Sequence, residues 1–162
     1  RASDLMSKHA SDIKTKIFIA GHASESSLKI INGNKYLDYK GFLDQESIKT
    51  IMLESKMGLI LHNQDGNHKY GFPTKLFEYM QNSLPMVVSN NYYQRKIITK
   101  SKCGLVVNID SYDEVIKAIK SILFNEKFQK SLSKKAYKIS EEFSWNSEEE
   151  KLINLYNHLL LN

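Results

Sequence analysis

Five short apolar runs, separated by stretches of helical character, limit what this chain can fold into more than any other feature. They extend from Lys16 to Ala20, stopped by Gly21; from Tyr36 to Lys40, ending at Gly41; from Met57 to His62; from Leu84 to Val88; and from Gly104 to Asn108. Most are continuously apolar, as strands buried on both faces are, although the second alternates. Between them the periodicity becomes helical. Asp44 is placed to cap a helix reaching about Lys56, with Ile48, Ile51, Met52 and Ser55 on one side. Others are expected from about Pro73 to Asn82, from Asn91 to Lys102, and from a cap at Ser111 or Asp113 through Phe124. The last carries an apolar stripe of Val115, Ile116, Ile119, Ile122 and Leu123. Residues 4–13 are weakly amphipathic, and Leu28, Ile30 and Ile31 suggest a helical turn or more in a polar stretch. Two further helices, from Glu126 to Phe143 and from Asn146 to Leu161, close the chain. Strands alternating with helices predict one α/β domain over residues 1–162, a parallel sheet with helices on both faces. Right-handed crossovers then bring every strand-to-helix loop to one edge of that sheet.

Length and charge narrow the function. The 162 residues suit one domain, and a net charge of +5, from 23 basic and 18 acidic residues, is a mild attraction for phosphates or anionic surfaces. The basic residues form no arginine-rich arm. Lys127, Lys130, Lys134, Lys135 and Lys138 fall mostly at helical spacing among glutamates, as on a solvated helix face. The interleaved aromatic and basic pattern of nucleic-acid binders is missing, so a nucleic-acid partner is not expected. No apolar stretch reaches the roughly 18 residues that a membrane span needs. Cys103 is the single cysteine, which excludes an internal disulfide and fits a reducing, cytoplasmic setting. His22, His62 and His68 have no metal-ligand spacing, and neither a metal nor a cofactor is expected. The composition has a bacterial look. Arg1-Ala2-Ser3 lacks an initiating Met, and the expectation is a piece of a longer protein.

Chemistry concentrates in the run from Gly71 to Asn90, GFPTKLFEYMQNSLPMVVSN. It reads as a glycine-bearing loop, a helix start, a carboxylate one turn inside the helix, a turn and a buried strand. Pro73 suits a first helical turn because amides there have no intrahelical partner. The Thr74 and Lys75 amides then face outward, where an anion gains from free N–H groups, the helix dipole and the Lys75 charge. Leu76, Phe77 and Met80 share a face with Pro73, and Glu78 lies roughly opposite, near Thr74, Gln81 and Asn82. Spacing alone leaves two readings of Glu78. It is either a solvated carboxylate or an acceptor for a vicinal diol such as a ribose.

The segment resembles the donor-binding region of family 4 retaining glycosyltransferases, enzymes of the GT-B fold with two Rossmann-like domains. The resemblance rests on Pro73-Thr74-Lys75, on Phe77-Glu78-Tyr79-Met80 and on the following Leu84 to Ser89 strand. Ile17 to Gly21, Tyr39-Lys40-Gly41-Phe42-Leu43, Phe143-Ser144-Trp145 and Lys151 to Tyr156 are similar to flanking features of that family. Together these matches span about residues 17–161.

The resemblance implies a C-terminal, donor-binding half. Glu78 matches the second glutamate of a paired motif and would bind the donor ribose. Gly71, Phe72, Pro73, Thr74 and Lys75 match the stretch facing the diphosphate and sugar, and Gly41, Phe42 and Leu43 the turn against the nucleobase. The first glutamate of the pair would fall eight residues before Glu78, where this chain has Tyr70. The family's opening strand of this domain, with its basic diphosphate-binding residues, and the whole acceptor domain would lie ahead of Arg1. The implied reaction moves a sugar from a nucleotide-diphosphate sugar to an acceptor, a glycan or lipid of the cell surface, with retention. No metal is required, no catalytic residue is assigned in this half, and the fragment alone is expected to be inactive. Peripheral association of the parent with the inner membrane face belongs to the same expectation. The rival is a non-catalytic α/β module that binds a nucleotide or a protein. His62, Asp65, Tyr92 and Tyr93 are weaker candidates near the presumed ligand edge.

Overall fold

A computed structural model describes residues 10–63, 66 and 71–160. Residues 10–13 are helical and lead into β1 (Ile17–Ile19), followed by α1 (Glu25–Asn32), β2 (Leu37–Tyr39), α2 (Gln45–Glu54) and β3 (Gly58–Ile60). Then come α3 (Thr74–Gln81), β4 (Met86–Ser89), α4 (Tyr92–Ser101), β5 (Gly104–Val107), α5 (Tyr112–Leu123) and α6 (Glu126–Ser140). A 3-10 turn (Glu141–Phe143) and α7 (Trp145–Leu160) complete the order. All five expected strands are present, shorter by one to three residues than their apolar runs. Every pairing is parallel. The expected single sheet, however, is drawn as two ladders, β1 with β2 and β3-β4-β5.

Local chemistry explains the element ends. The Asp44 carboxylate accepts the Ser47 amide at 2.8 Å and caps α2, as its position predicts. Ser24 caps α1 and Asn125 caps α6 in the same way. Ser111 takes the N-cap position of α5 without a side-chain bond. The expected helix ending at Phe143 is divided, α6 giving way at Ser140 to the 3-10 turn.

Two apolar clusters lie on the β3-β4-β5 ladder. One joins Ile13, Val87 and Val107 to Val115, Ile119, Ile122 and Leu132. The other joins Ile60, Met86, Val88 and Cys103 to Leu76 and Met80 of α3, Ile98 of α4 and Ala136 and Ile139 of α6. β4 is therefore covered on both faces, and its four residues are fully buried. A smaller cluster of Ala10, Ile31 and Leu37 supports β1 and β2. In contrast, α7 buries none of its residues. No helix among the described residues is long and apolar enough to cross a membrane.

Candidate functional site

The ends of the strands converge on the start of α3. Pro73 is the N-cap rather than the first helical residue, because its backbone is extended (φ −74°, ψ 123°) and helical geometry begins at Thr74. Its carbonyl accepts the Leu76 amide at 3.1 Å, which closes the first turn. A proline side chain has no acceptor to offer, so the first amides of the helix receive no side-chain cap. Thr74 and Lys75 are exposed at this end, while Leu76 and Met80 are buried beneath it.

Lys75 and Glu78 hold each other. The Lys75 Nζ donates to Glu78 Oε2 at 2.7 Å, one turn along the same helix, and both groups remain partly open to solvent. Glu78 is thus on the open side, away from the Leu76 and Met80 face, as the helical spacing predicts. The Asn82 amide donates to the Glu78 carbonyl at 2.8 Å and fixes the helix end. Between them Tyr79 ties α3 to the sheet. A Cβ on Gly58 would collide with the Tyr79 ring, so that ring lies directly against the strand backbone. Burial, and secondarily the Glu78 charge, push the Tyr79 phenol up to about 12, which keeps it neutral.

The second wall is the Gly41 turn. Gly41 has φ +68°, a conformation that residues with a Cβ rarely adopt. Its carbonyl accepts the Gly21 amide at 2.7 Å, and the Tyr39 hydroxyl donates to the Gly21 carbonyl, also at 2.7 Å. These bonds lock the ends of β1 and β2 together. Phe42 projects from the turn, largely exposed, with its ring 5.3 Å from that of His22. Phe42, Leu43, Gly21 and Lys75 line one cavity, so the structure brings the Gly41 turn and the α3 start to the same opening. Gly41, Gly71, Phe72, Pro73, Thr74 and Glu78 are not part of that lining. Phe72 stacks on Phe77 and meets Tyr93 edge-on, and Tyr93 meets Tyr92. Tyr92 and Tyr93 are exposed at the start of α4.

Sequence reasoning missed a buried polar network beneath this edge. Ser89, Asn91 and Gln94 are almost fully buried. The His62 amide donates to the Ser89 hydroxyl at 2.7 Å, that hydroxyl donates to the Ile60 carbonyl at 3.0 Å, and the Asn91 amide reaches the Asn63 carbonyl at 3.2 Å. Gln94 Nε2 lies 3.4 Å from His62 Nδ1. The signal was available in Ser89-Asn90-Asn91, three polar residues directly after the apolar run that ends at Val88. His62 therefore supports the β3 and β4 ends through this network. Asp65, His68 and Tyr70 lie outside the described residues. Among those described, no group of three His, Cys, Asp or Glu side chains is placed to hold a metal.

Parallel strands whose loops meet a helix start are the arrangement the sequence resemblance implies, and the Lys75–Glu78 ion pair is an addition to it. Residues 2–139 match the profile of the family described as Glycosyl transferases, group 1. The chain belongs to this family. No curated protein matches it closely enough in sequence to serve as a relative. Its fold is that of a Rossmann-like half of GT-B proteins. Sucrose-phosphate synthase from Thermosynechococcus elongatus superposes with a TM-score of 0.78 at 15% identity, over 98% of this chain and 42% of that one. Anabaena HepE, solved in complex with UDP, gives 0.77 at 12% identity, over 96% of this chain and 44% of its own. WaaG, a glycosyltransferase involved in lipopolysaccharide biosynthesis, gives 0.65 at 12% identity, over 86% and 38%. The chain spans less than half the length of each of these structures.

Proposed function

We propose that this chain is the donor-binding half of a glycosyltransferase that moves a sugar from a nucleotide-diphosphate sugar to an acceptor, with retention of anomeric configuration. The observation that carries this reading is the Lys75–Glu78 pair at the uncapped start of α3, on the edge where the strand loops meet. In the ligand-free chain the pair neutralises itself. A diphosphate, with more negative charge than one carboxylate, competes for Lys75, and Glu78 is then released to accept the ribose hydroxyls. Lys75 and the amides of Thr74 and Lys75 offset the charge that grows on the departing diphosphate as the sugar becomes oxocarbenium-like. Gly71, Phe72 and Pro73 shape the approach to that helix end, and Gly41, Phe42 and Leu43 form the wall for the nucleobase.

Family membership supports sugar transfer, and HepE in complex with UDP supports a nucleotide diphosphate as donor group. Retention draws on trehalose-6-phosphate synthase, whose structure is described in terms of glycosyltransfer with retention. WaaG supports a glycan or glycolipid acceptor. We place residues 1–162 as one domain, the acceptor domain elsewhere in the parent, and the parent in the cytoplasm, peripheral to the inner membrane face. The chain alone binds nucleotide without turnover.

Titration of the chain with UDP, GDP and ADP, followed by amide exchange, tests the proposal. Saturable protection of residues 71–78 by at least one of them is expected. Protection elsewhere, or none at millimolar nucleotide, overturns the site. Sugar transfer by these 162 residues alone overturns the assignment as half an enzyme. A binding module without chemistry is the second reading, favoured by Tyr70 where the family's pair has its first glutamate. The parent's failure to transfer sugar while the chain binds nucleotide would decide for it.

A further inference from the structure

Most of the net charge of this chain sits on one helix. α6 carries five lysines against a single glutamate, a net of +4 in a chain whose total is +5. The helical turn concentrates it further. Lys127, Lys130, Lys134 and Lys138 follow one another at steps of three and four, which stacks them in one row about 17 Å long. Phe128, Leu132, Ala136 and Ile139 pack on the core and fix the rotation of the helix, so the row faces away from the protein. All four lysines are exposed, and Lys135 stands exposed beside them.

A solvated helix face balances its lysines with carboxylates one turn away. Here Glu126 supplies one partner, to Lys130 at 2.6 Å. Lys127, Lys134, Lys135 and Lys138 have no ion-pair partner among the described residues. Past the helix Glu141 and Glu142 end the row, and Glu142 accepts from Lys100 instead. At the other end Gln129 Nε2 donates to the Lys56 carbonyl at 3.1 Å, and the Lys56 charge reaches Glu126. Like charges one turn apart repel each other. A row held together against that repulsion, with its charges unused, is complementary to an extended negative surface.

We propose that the α6 lysine row docks the protein on the surface of an anionic lipid bilayer. The inference rests on the placement of the parent at a membrane face and names the surface that holds it there. Two features choose lipid over nucleic acid. Every cation of the row is a lysine, a compact hydrated charge suited to mobile headgroups, and none offers the planar fork with which arginine grips phosphates and bases. The row also lies along the side of a packed helix, with no end or loop raised to enter a groove. Phe124, just ahead of α6, and Tyr137, beside the row, are exposed rings of the kind that settle among lipid headgroups. α6 packs on α3 through Leu76 and Met80, and Glu78 faces the other way, so docking leaves the α3 start open.

Cosedimentation of the chain with vesicles tests the proposal. Vesicles of equal parts phosphatidylglycerol and phosphatidylcholine are compared with vesicles of phosphatidylcholine alone. Partition into the anionic vesicles is expected to be at least about tenfold stronger, and to weaken as salt is raised. The combined Lys127→Gln, Lys134→Gln and Lys138→Gln variant should lose about a hundredfold in partition, at roughly fivefold per lysine, with an unchanged unfolding midpoint. The combined Lys29→Gln, Lys49→Gln and Lys96→Gln variant removes the same charge from exposed sites on α1, α2 and α4 and should bind nearly as the wild type does. Equal partition into both kinds of vesicle overturns the inference, as does equally tight binding to a DNA duplex at the same salt. Anionic binding that survives the α6 variant overturns it too, while leaving the placement at the membrane intact. Nucleotide enters none of these measurements, so the donor-site reading stands or falls apart from them.

Discussion

Lys75 and Glu78 show how one pair of side chains carries two opposed accounts of a site. As an exposed ion pair one turn apart, they contribute little to folding, about 0.2–1 kcal/mol. Glu78→Ala is therefore expected to leave the unfolding midpoint nearly unchanged. Its effect on nucleotide binding separates the roles. If Glu78 accepts ribose hydroxyls, removing it deletes charge-assisted hydrogen bonds, and UDP affinity falls about tenfold or more. If Glu78 only neutralises Lys75, removing it frees the ammonium for the phosphates and affinity rises. The first outcome is expected, and calorimetric titration of the variant reads the sign directly. Lys75→Ala is expected to weaken binding as well, with a reduced dependence on salt, because it removes the full positive charge at the helix start. The sequence placed Glu78 on the open side of its helix but did not reveal the ion pair, since i,i+3 spacing permits contact without requiring it.

At the scale of elements, the contact between Gly58 and Tyr79 couples strand to site. Adding a Cβ at Gly58 drives it into a ring wedged between β3 and α3. Gly58→Ala is expected to cost about 1–3 kcal/mol, as overpacking does, and to weaken nucleotide binding by displacing the helix that carries Lys75 and Glu78. Denaturant unfolding and titration of the same variant measure both effects. A loss of stability with unchanged affinity would show that α3 stays in place. The α2 cap gives a prediction in pH. Hydrogen bonds from the Ser47 amide and hydroxyl hold the Asp44 carboxylate below its ordinary value of 3.8. A depressed carboxylate stabilises the fold fully above its unfolded value and loses that contribution as pH falls through the folded one. Asp44→Asn keeps a capping oxygen without the titration. The wild-type midpoint should therefore fall more steeply than that of Asp44→Asn below about pH 4. Elements of this kind were legible because a cap, a glycine and an apolar stripe act locally. The division of the last long helix at Ser140 was not legible, nor was the Ser89, Asn91 and Gln94 network. Both depend on what surrounds the segment: α6 packs through Ala136 and Ile139 just before the break, and Ser89 and Asn91 take hydrogen-bond partners some thirty residues away.

Across the whole molecule, stability should be graded rather than uniform. β4 is paired on both edges and covered on both faces, and Met86, Val87 and Val88 have no exposed surface. Its amides can exchange only when the main core opens. The β1–β2 ladder rests on a smaller cluster of Ala10, Ile31 and Leu37 and has no strand on either outer edge among the described residues, so a less costly opening exposes it. α7 has no buried residue and leaves Trp145, Leu152, Tyr156 and Leu159 exposed, so it lacks the apolar packing that stabilises helices in water. Amide exchange at equilibrium is therefore expected to be slowest in β4, intermediate in β1 and β2, and fastest in α7. Deleting residues 145–162 should shift the thermal midpoint by no more than about 4 °C. The site spans this gradient. Lys75 and Glu78 sit on α3, packed on the stable ladder through Leu76 and Met80, whereas Gly41 and Phe42 follow the less stable one. If nucleotide bridges the two walls, opening either ladder dismantles the site, so saturating UDP should slow exchange in β1 and β2 along with β4, whereas binding to α3 alone would leave β1 and β2 unchanged. Equal exchange free energies for β2 and β4 without ligand would instead make the chain one cooperative unit and remove the basis for that difference.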